Sequence, residues 1–236
     1  RFENGFKLKG KGIINGGNYD VGYQQQIFDT SLTVNPRSVN QYFSVKWYGA
    51  KGINTDDYDA IQKSINTCIR NNIRVLYVPA GRYKISQPLI IRDADNSKAG
   101  NQRNFCTLEI LGESSFWDSN MGSEIVTSFN NAFAIGIQNG KGCKIRKLKI
   151  TGLFLPPSSR NSQEFYNMPF EKFKDGKCRD SRYSPYAGIV IDPFTNLPSN
   201  SLPPDGGYPT LLDYYGKASK LQTQSGSTGT ELEELS

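Results

Sequence analysis

Apolar side chains recur along this chain at two spacings, and the change of spacing divides it into elements. Between Tyr58 and Asn71, the residues Ile61, Ile65, Cys68 and Ile69 fall on one stripe of helical period, which predicts an amphipathic helix there. The preceding Asn54-Thr55-Asp56-Asp57 offers N-cap oxygens, and carboxylates beside the positive end of the helix dipole. Behind it, Asn71-Asn72 suits the left-handed conformation that stops helices. Everywhere else the apolar positions come in short runs bounded by turn residues, the mark of strands. These runs are Arg74–Val78, Arg82–Ser86, Leu89–Arg92, Cys106–Leu111, Glu124–Thr127, Ala134–Gln138, Cys143–Thr151 and Gly188–Asp192. Pro79-Ala80-Gly81 fits a type I turn between the first two, and Asn139-Gly140 and Lys141-Gly142 mark further turns.

Strands this short and frequent exclude a doubly wound α/β fold, which needs a helix between most strand pairs. A sandwich or barrel stays open on the strand count alone. Cys143–Ile150 discriminates further, because Cys143 and Ile145 share one parity while Leu148 and Ile150 share the other. One extra residue near Arg146-Lys147 brings both halves to the same core, as at a bulge or a coil corner. Leu153–Pro185 and Pro193–Thr230 break the rhythm. Both are rich in Pro, Ser, Asn, Gly and aromatic residues and far exceed ordinary loop length, so they are expected to project as insertions.

Composition narrows the chemistry. The 236 residues include no histidine, which excludes Ser-His-Asp and Cys-His catalysis and any His-ligated metal. Four cysteines without CxxC spacing read as thiols rather than as a zinc site or a disulfide framework. The net charge of +6 is modest, and its densest cluster, Lys141–Lys149, interleaves with Ile145, Leu148 and Ile150 as the solvated face of a strand does. No nucleic-acid partner is expected from that pattern. No run approaches the ~20 apolar residues of a membrane span, so no membrane insertion is expected either. The chain opens on Arg1 with a strand and turn, Phe6–Gly17, and closes on Glu231–Ser236, which reads as a strand beginning. Both ends are those expected of a segment of a longer protein.

The run Phe43-Ser44-Val45-Lys46-Trp47-Tyr48-Gly49-Ala50-Lys51-Gly52-Ile53-Asn54-Thr55-Asp56-Asp57-Tyr58-Asp59-Ala60-Ile61-Gln62, followed by Val75-Leu76-Tyr77-Val78-Pro79-Ala80-Gly81-Arg82-Tyr83, carries the strongest motif. It closely resembles the opening signature of the pectate-lyase-superfamily β-helix domain, departing at Ile53-Asn54, where that family usually has Asp-Gly. The match is specific over residues 43–92. The resemblance implies an all-β fold: a right-handed parallel β-helix, or solenoid, with one N-terminal capping α-helix and two long loop insertions. Residues 1–40 would form an N-terminal strand-and-turn segment with a linker. Residues 41–236 would be the N-terminal part of the β-helix, continuing beyond Ser236. In that frame helix 58–71 covers the apolar end of the first coil, and Thr55, Asp56 and Asp57 are cap residues rather than paired catalytic carboxylates.

The superfamily includes polysaccharide lyases, glycoside hydrolases, epimerases and bacteriophage tailspike and tail-fibre proteins. The run Lys9–Gly17, followed by Ile27-Phe28-Asp29-Thr30, resembles a piece that often precedes the signature in the phage proteins. By that resemblance the chain is expected in an extracellular virion tail, as a homotrimer contacting other tail proteins and a host surface glycan. It would be a structural, receptor-facing protein that binds or depolymerises bacterial polysaccharide. Two alternatives are a lyase or hydrolase seen as a fragment, and a non-catalytic carbohydrate-binding surface protein. A lyase of the superfamily uses a Lys or Arg base and a calcium ion held by acidic residues; otherwise no cofactor or metal is expected. The polygalacturonase-type site needs a histidine and is excluded. Asp192 and Asp213 remain as catalytic candidates, with Asp175 and Asp180 in the same loops. Asp192 precedes Pro193 and reads equally as a turn residue closing its strand. Any active site is expected outside this segment, beyond Ser236. Tyr183, Tyr186, Tyr208, Tyr214 and Tyr215 are candidate sugar-stacking residues, or else rings that pin the long loops.

Overall fold

The computed structural model describes residues 5–17, 19, 21–37, 42–92, 106–115, 121–128, 134–137, 140–152, 188–191 and 231–235. Its strands are β1 (Gly12–Asn15), β2 (Leu32–Asn35), β3 (Tyr42–Ser44), β4 (Ile53–Asp56), β5 (Val75–Val78), β6 (Gly81–Ile85), β7 (Leu89–Ile91), β8 (Glu109–Gly112), β9 (Ser123–Thr127), β10 (Ile135–Ile137), β11 (Lys144–Thr151), β12 (Ile189–Ile191) and β13 (Glu231–Leu235). The helix predicted over 58–71 is α1 (Tyr58–Arg70), and a 3-10 turn spans Val45–Tyr48.

Every strand pairing among the described residues is parallel. One ladder runs β3-β5-β8-β11-β13, a second β4-β6-β9-β11 and a third β7-β10-β12. The chain visits them in the same order each time, β5 to β6 to β7 and then β8 to β9 to β10, so each round stacks on the one before. Mostly parallel strands, a curled sheet and one helix agree with the all-β expectation. The insertions expected after Thr151 and Ile191 lie outside the described residues.

Backbone geometry at the corners explains how the sheet curls. Strand β11 belongs to two ladders: Lys144–Arg146 pair with β8, and Lys149–Thr151 pair with β9. Between them Lys147 takes φ 54°, the left-handed conformation, and this is the extra residue that the parity change predicts. Gly112 ends β8 directly against that corner, where an added Cβ would stand 1.9 Å from the Lys147 carbonyl oxygen. An earlier corner repeats the device. A Cβ on Gly81, at φ 153°, would meet the Gly52 oxygen at 2.9 Å.

In the first round α1 occupies the place in the chain where later rounds put their third strand. Its apolar face buries Ile61, Ile65 and Cys68 against the common core. Gln62 completes the substitution. Its side-chain Nε2 donates to the Ile90 carbonyl at 2.9 Å and its Oε1 accepts from the Ile90 N–H at 2.8 Å, so one amide replaces the missing neighbour at the edge of β7. The segment ahead of the signature shares this core: Tyr19, Ile27, Phe28, Leu32 and Val34 pack in one cluster with Phe43, Trp47 and Tyr48. Main-chain N–H groups of Ile27 and Phe28 both donate to the Trp47 carbonyl, at 3.1 and 2.8 Å.

Candidate functional site

The motif carboxylates come first. Asp57 stands at the N-cap position of α1 but makes no side-chain cap bond. It is buried, at 3 % exposure, and turns back to accept from the Lys51 N–H at 2.7 Å and the Gly52 N–H at 2.9 Å. Two charge-assisted bonds, each worth about 1.5 to 3 kcal/mol, thus hold the glycine turn that leads into β4. Burial nevertheless raises the Asp57 carboxyl above its ordinary value, outweighing these bonds and the nearby Lys46 charge. Asp56 does the work at the helix start, its Oδ1 accepting from the N–H groups of Tyr58 and Ser86, each at 3.2 Å. Thr55 lies in β4 with a buried Oγ1 that makes no hydrogen bond among the described residues. Strand β4 itself escaped the sequence reading, because Asn54-Thr55-Asp56 looks like cap chemistry; Asn54 enters at φ 62°, and the register to β6 shifts between Ile53 and Asp56.

Above this turn lies an open cleft of about 420 Å³ between β4 and β6, lined by Lys46, Lys51, Asn54 and Arg82 and by the backbone of the glycine corner. Lys46 is half-buried. Its Nζ donates to the Lys51 carbonyl at 2.7 Å and stands 5.5 Å from the centre of the Tyr83 ring, and burial lowers its pKa. Arg82 leans away toward the buried Glu124 on β9, at 3.3 Å, and Lys149 on β11 meets the same carboxylate at 3.2 Å. Thr151 donates its hydroxyl to it at 2.6 Å. The lateral row Arg82–Glu124–Lys149 follows the strand register and leaves the cleft a moderate positive bias.

A second feature sits on the outer face of the first ladder. Tyr23 rests on Tyr42 of β3 and Tyr77 of β5, with ring centroids 4.9 Å apart in both pairs. The Tyr77 hydroxyl donates to the Glu113 carboxylate, and its pKa is raised, first by burial and then by that bond and charge. The turn carrying Tyr23 is fixed from below: Ser44 donates to the Tyr23 carbonyl at 2.7 Å, and the Trp47 indole N–H to the Gly22 carbonyl at 3.0 Å. Farther along the same ladder the face becomes charged, with Arg146 between Glu109 at 3.3 Å and Glu233 at 2.5 Å, and Lys144 on Glu231 at 2.6 Å.

The structure brings Asp56 and Asp57 together with the glycine corner. Asp192, Asp213, Tyr183, Tyr186, Tyr208, Tyr214 and Tyr215 all lie outside the described residues. Sequence reasoning missed Tyr23, Tyr42, Tyr77 and Glu113, which belong to four separate stretches of chain and share no motif. Their one signal was the outward parity of Tyr42 and Tyr77 beside buried Phe43 and Leu76. Of the cysteines, Cys68, Cys106 and Cys143 are buried and form no disulfide with one another. Among the described residues no three acidic or cysteine side chains converge as they would to hold a metal ion.

Comparison with known proteins places residues 42–141 in the family model described as rhamnogalacturonase A/epimerase, pectate lyase-like. This stretch is pectate-lyase-like, and the match extends the motif of residues 43–92 through β8, β9 and β10. Among solved structures, the chain is similar to the ORF18 protein of Geobacillus virus E2, with 22% identity and a TM-score of 0.35. That similarity covers 46% of this chain and spans only 20% of the viral protein's length. No curated protein matches.

Proposed function

We propose that the chain is a right-handed parallel β-helix module of a bacteriophage tail protein, a receptor-facing stalk that binds or depolymerises bacterial surface polysaccharide. The observation that carries this reading is the parallel stacking of the described strands in successive rounds over the stretch similar to that family. Such stacking gives a stiff rod whose long outer faces are free for an extended, repetitive ligand. The parallel β1–β2 pair, packed into the same core, supports a continuous shaft running into the segment that resembles phage proteins. In this reading the shaft is extracellular, assembles as a homotrimer with other tail proteins, and meets the host glycan side-on.

Purified protein incubated with surface polysaccharide from susceptible and resistant bacteria tests the reading. Retention on the susceptible polysaccharide, by a trimeric species in sedimentation, is the expected result. A strict monomer that retains no polysaccharide overturns it. The basic cleft favours one other reading, an eliminative lyase with a Lys or Arg base acting on an acidic glycan. Ultraviolet-absorbing unsaturated products from acidic polysaccharide would select that alternative.

A further inference from the structure

We propose that Tyr23, Tyr42 and Tyr77, with Glu113, form a binding site for a neutral or N-acetylated amino sugar unit of a surface glycan. This deepens the glycan-binding reading above and rests on it. Tyr23 stays 42 % exposed although its backbone is tied down by two buried side chains, Ser44 and Trp47. The result is a pre-organised ring on a rigid base, with two further rings set edge-on and tilted beneath it at 4.9 Å. Little conformational freedom is left to lose when a ligand settles on such a surface.

The chemistry of the patch selects a sugar of one kind. A pyranose presents one face of C–H groups whose hydrogens carry partial positive charge, and the negative face of a tyrosine ring attracts them while the apolar areas leave water. At the edge of the patch the Glu113 carboxylate accepts from the Tyr77 hydroxyl and keeps further lone pairs for a sugar hydroxyl or an amide N–H. Among the described residues no lysine or arginine forms an ion pair with Glu113. A uronate carboxylate brought to this edge would meet the like charge of Glu113, whereas a hydroxyl, an acetamido N–H or an ammonium would meet an acceptor. The patch therefore discriminates against the acidic sugars that the basic cleft between β4 and β6 would favour.

The test uses the whole chain with three probes: the N-acetylglucosamine tetrasaccharide, maltotetraose and the galacturonate tetrasaccharide. Saturation-transfer NMR and titration are expected to show the first two bound through their ring protons and the galacturonate bound more weakly. Tyr23→Ala is expected to weaken binding about tenfold, the size of one aromatic contact, and Glu113→Gln about threefold, the size of one hydrogen bond. Tyr77→Phe keeps the ring and removes the hydroxyl, so the melting temperature shows whether any loss is structural. Preference for galacturonate, unchanged binding by Tyr23→Ala, or a change of subunit number on that substitution would each overturn the proposal, the last by making the patch a subunit contact. A wild type retained on bacterial polysaccharide with Tyr23→Ala equally retained would sink this site alone. A wild type retained on no glycan would sink the reading it rests on as well.

Discussion

The glycine corners and the tyrosine face are built from different residue types and turned to opposite ends. At the corners, backbone packs on backbone: Gly81 over Gly52, Gly112 under Lys147, and Asp57 buried among N–H groups. On the outer face of the first ladder, Tyr23, Tyr77 and Glu113 meet one another at the protein surface, and their backbone is held from behind. Four residues of the motif, Gly52, Gly81, Asp56 and Asp57, are consumed in building the turn and the helix start. The groups proposed to meet a ligand, Tyr23, Tyr42 and Glu113 around Tyr77 of the motif, stand on an outer face. A recognisable motif in this molecule therefore marks architecture, and function is to be sought on the faces that the architecture exposes.

Substitutions that respect or violate this division sharpen it. The largest effect is expected from Gly112→Ala, because the new methyl group meets backbone rather than a side chain that could move aside. A loss of about 3 kcal/mol or more is expected in chemical denaturation, the upper end for overpacking. Asp57→Asn comes next, at about 2 kcal/mol, since one amide oxygen must serve two N–H groups. Its pH dependence has a definite sign. The folded-state carboxyl titrates above its ordinary value of 3.8, so the folded protein holds the proton more tightly, and Asp57's contribution to stability falls as pH rises from about 4 through the folded value. The stability gap between wild type and Asp57→Asn should narrow across that window; a gap that widens would contradict the burial of this carboxyl.

Gln62→Ala is expected to cost about 1 to 2 kcal/mol by stripping both partners from Ile90 at the β7 edge. Hydrogen exchange should show it locally, as faster loss of the Ile90 amide signal. Smallest of all, Tyr77→Phe should change stability by about 0.5 to 1 kcal/mol, because the one bond it removes, to Glu113, is open to solvent. A drop near that of Asp57→Asn would erase the distinction between the two regions.

Much of the fold was legible because it depends on local patterns. The helix was bounded within a residue by its stripe and its flanking Asn and Asp residues, and the parity change in Cys143–Ile150 located the corner at Lys147. Strand β4 was hidden because Asn and Asp serve caps and turns more often than strands, and here tertiary pairing with β6 overrides that preference. The role of Gln62 was hidden because its partner lies 28 residues away. The tyrosine face was hidden for the same reason, being assembled from side chains of separate rounds that only the stacking register brings together. Pattern reading finds elements and misses what register assembles.

On the proposal above, the Asp57 corner builds the molecule and the Tyr23 face meets the glycan. The most direct test is polysaccharide retention measured against melting temperature for wild type, Asp57→Asn and Tyr23→Ala, well below the lowest melting point. Asp57→Asn is expected to melt earlier and retain glycan like wild type, while Tyr23→Ala, which gives up two ring contacts, is expected to lose retention out of proportion to any fall in melting temperature. Loss of retention by Asp57→Asn at an unchanged melting temperature would contradict the proposal.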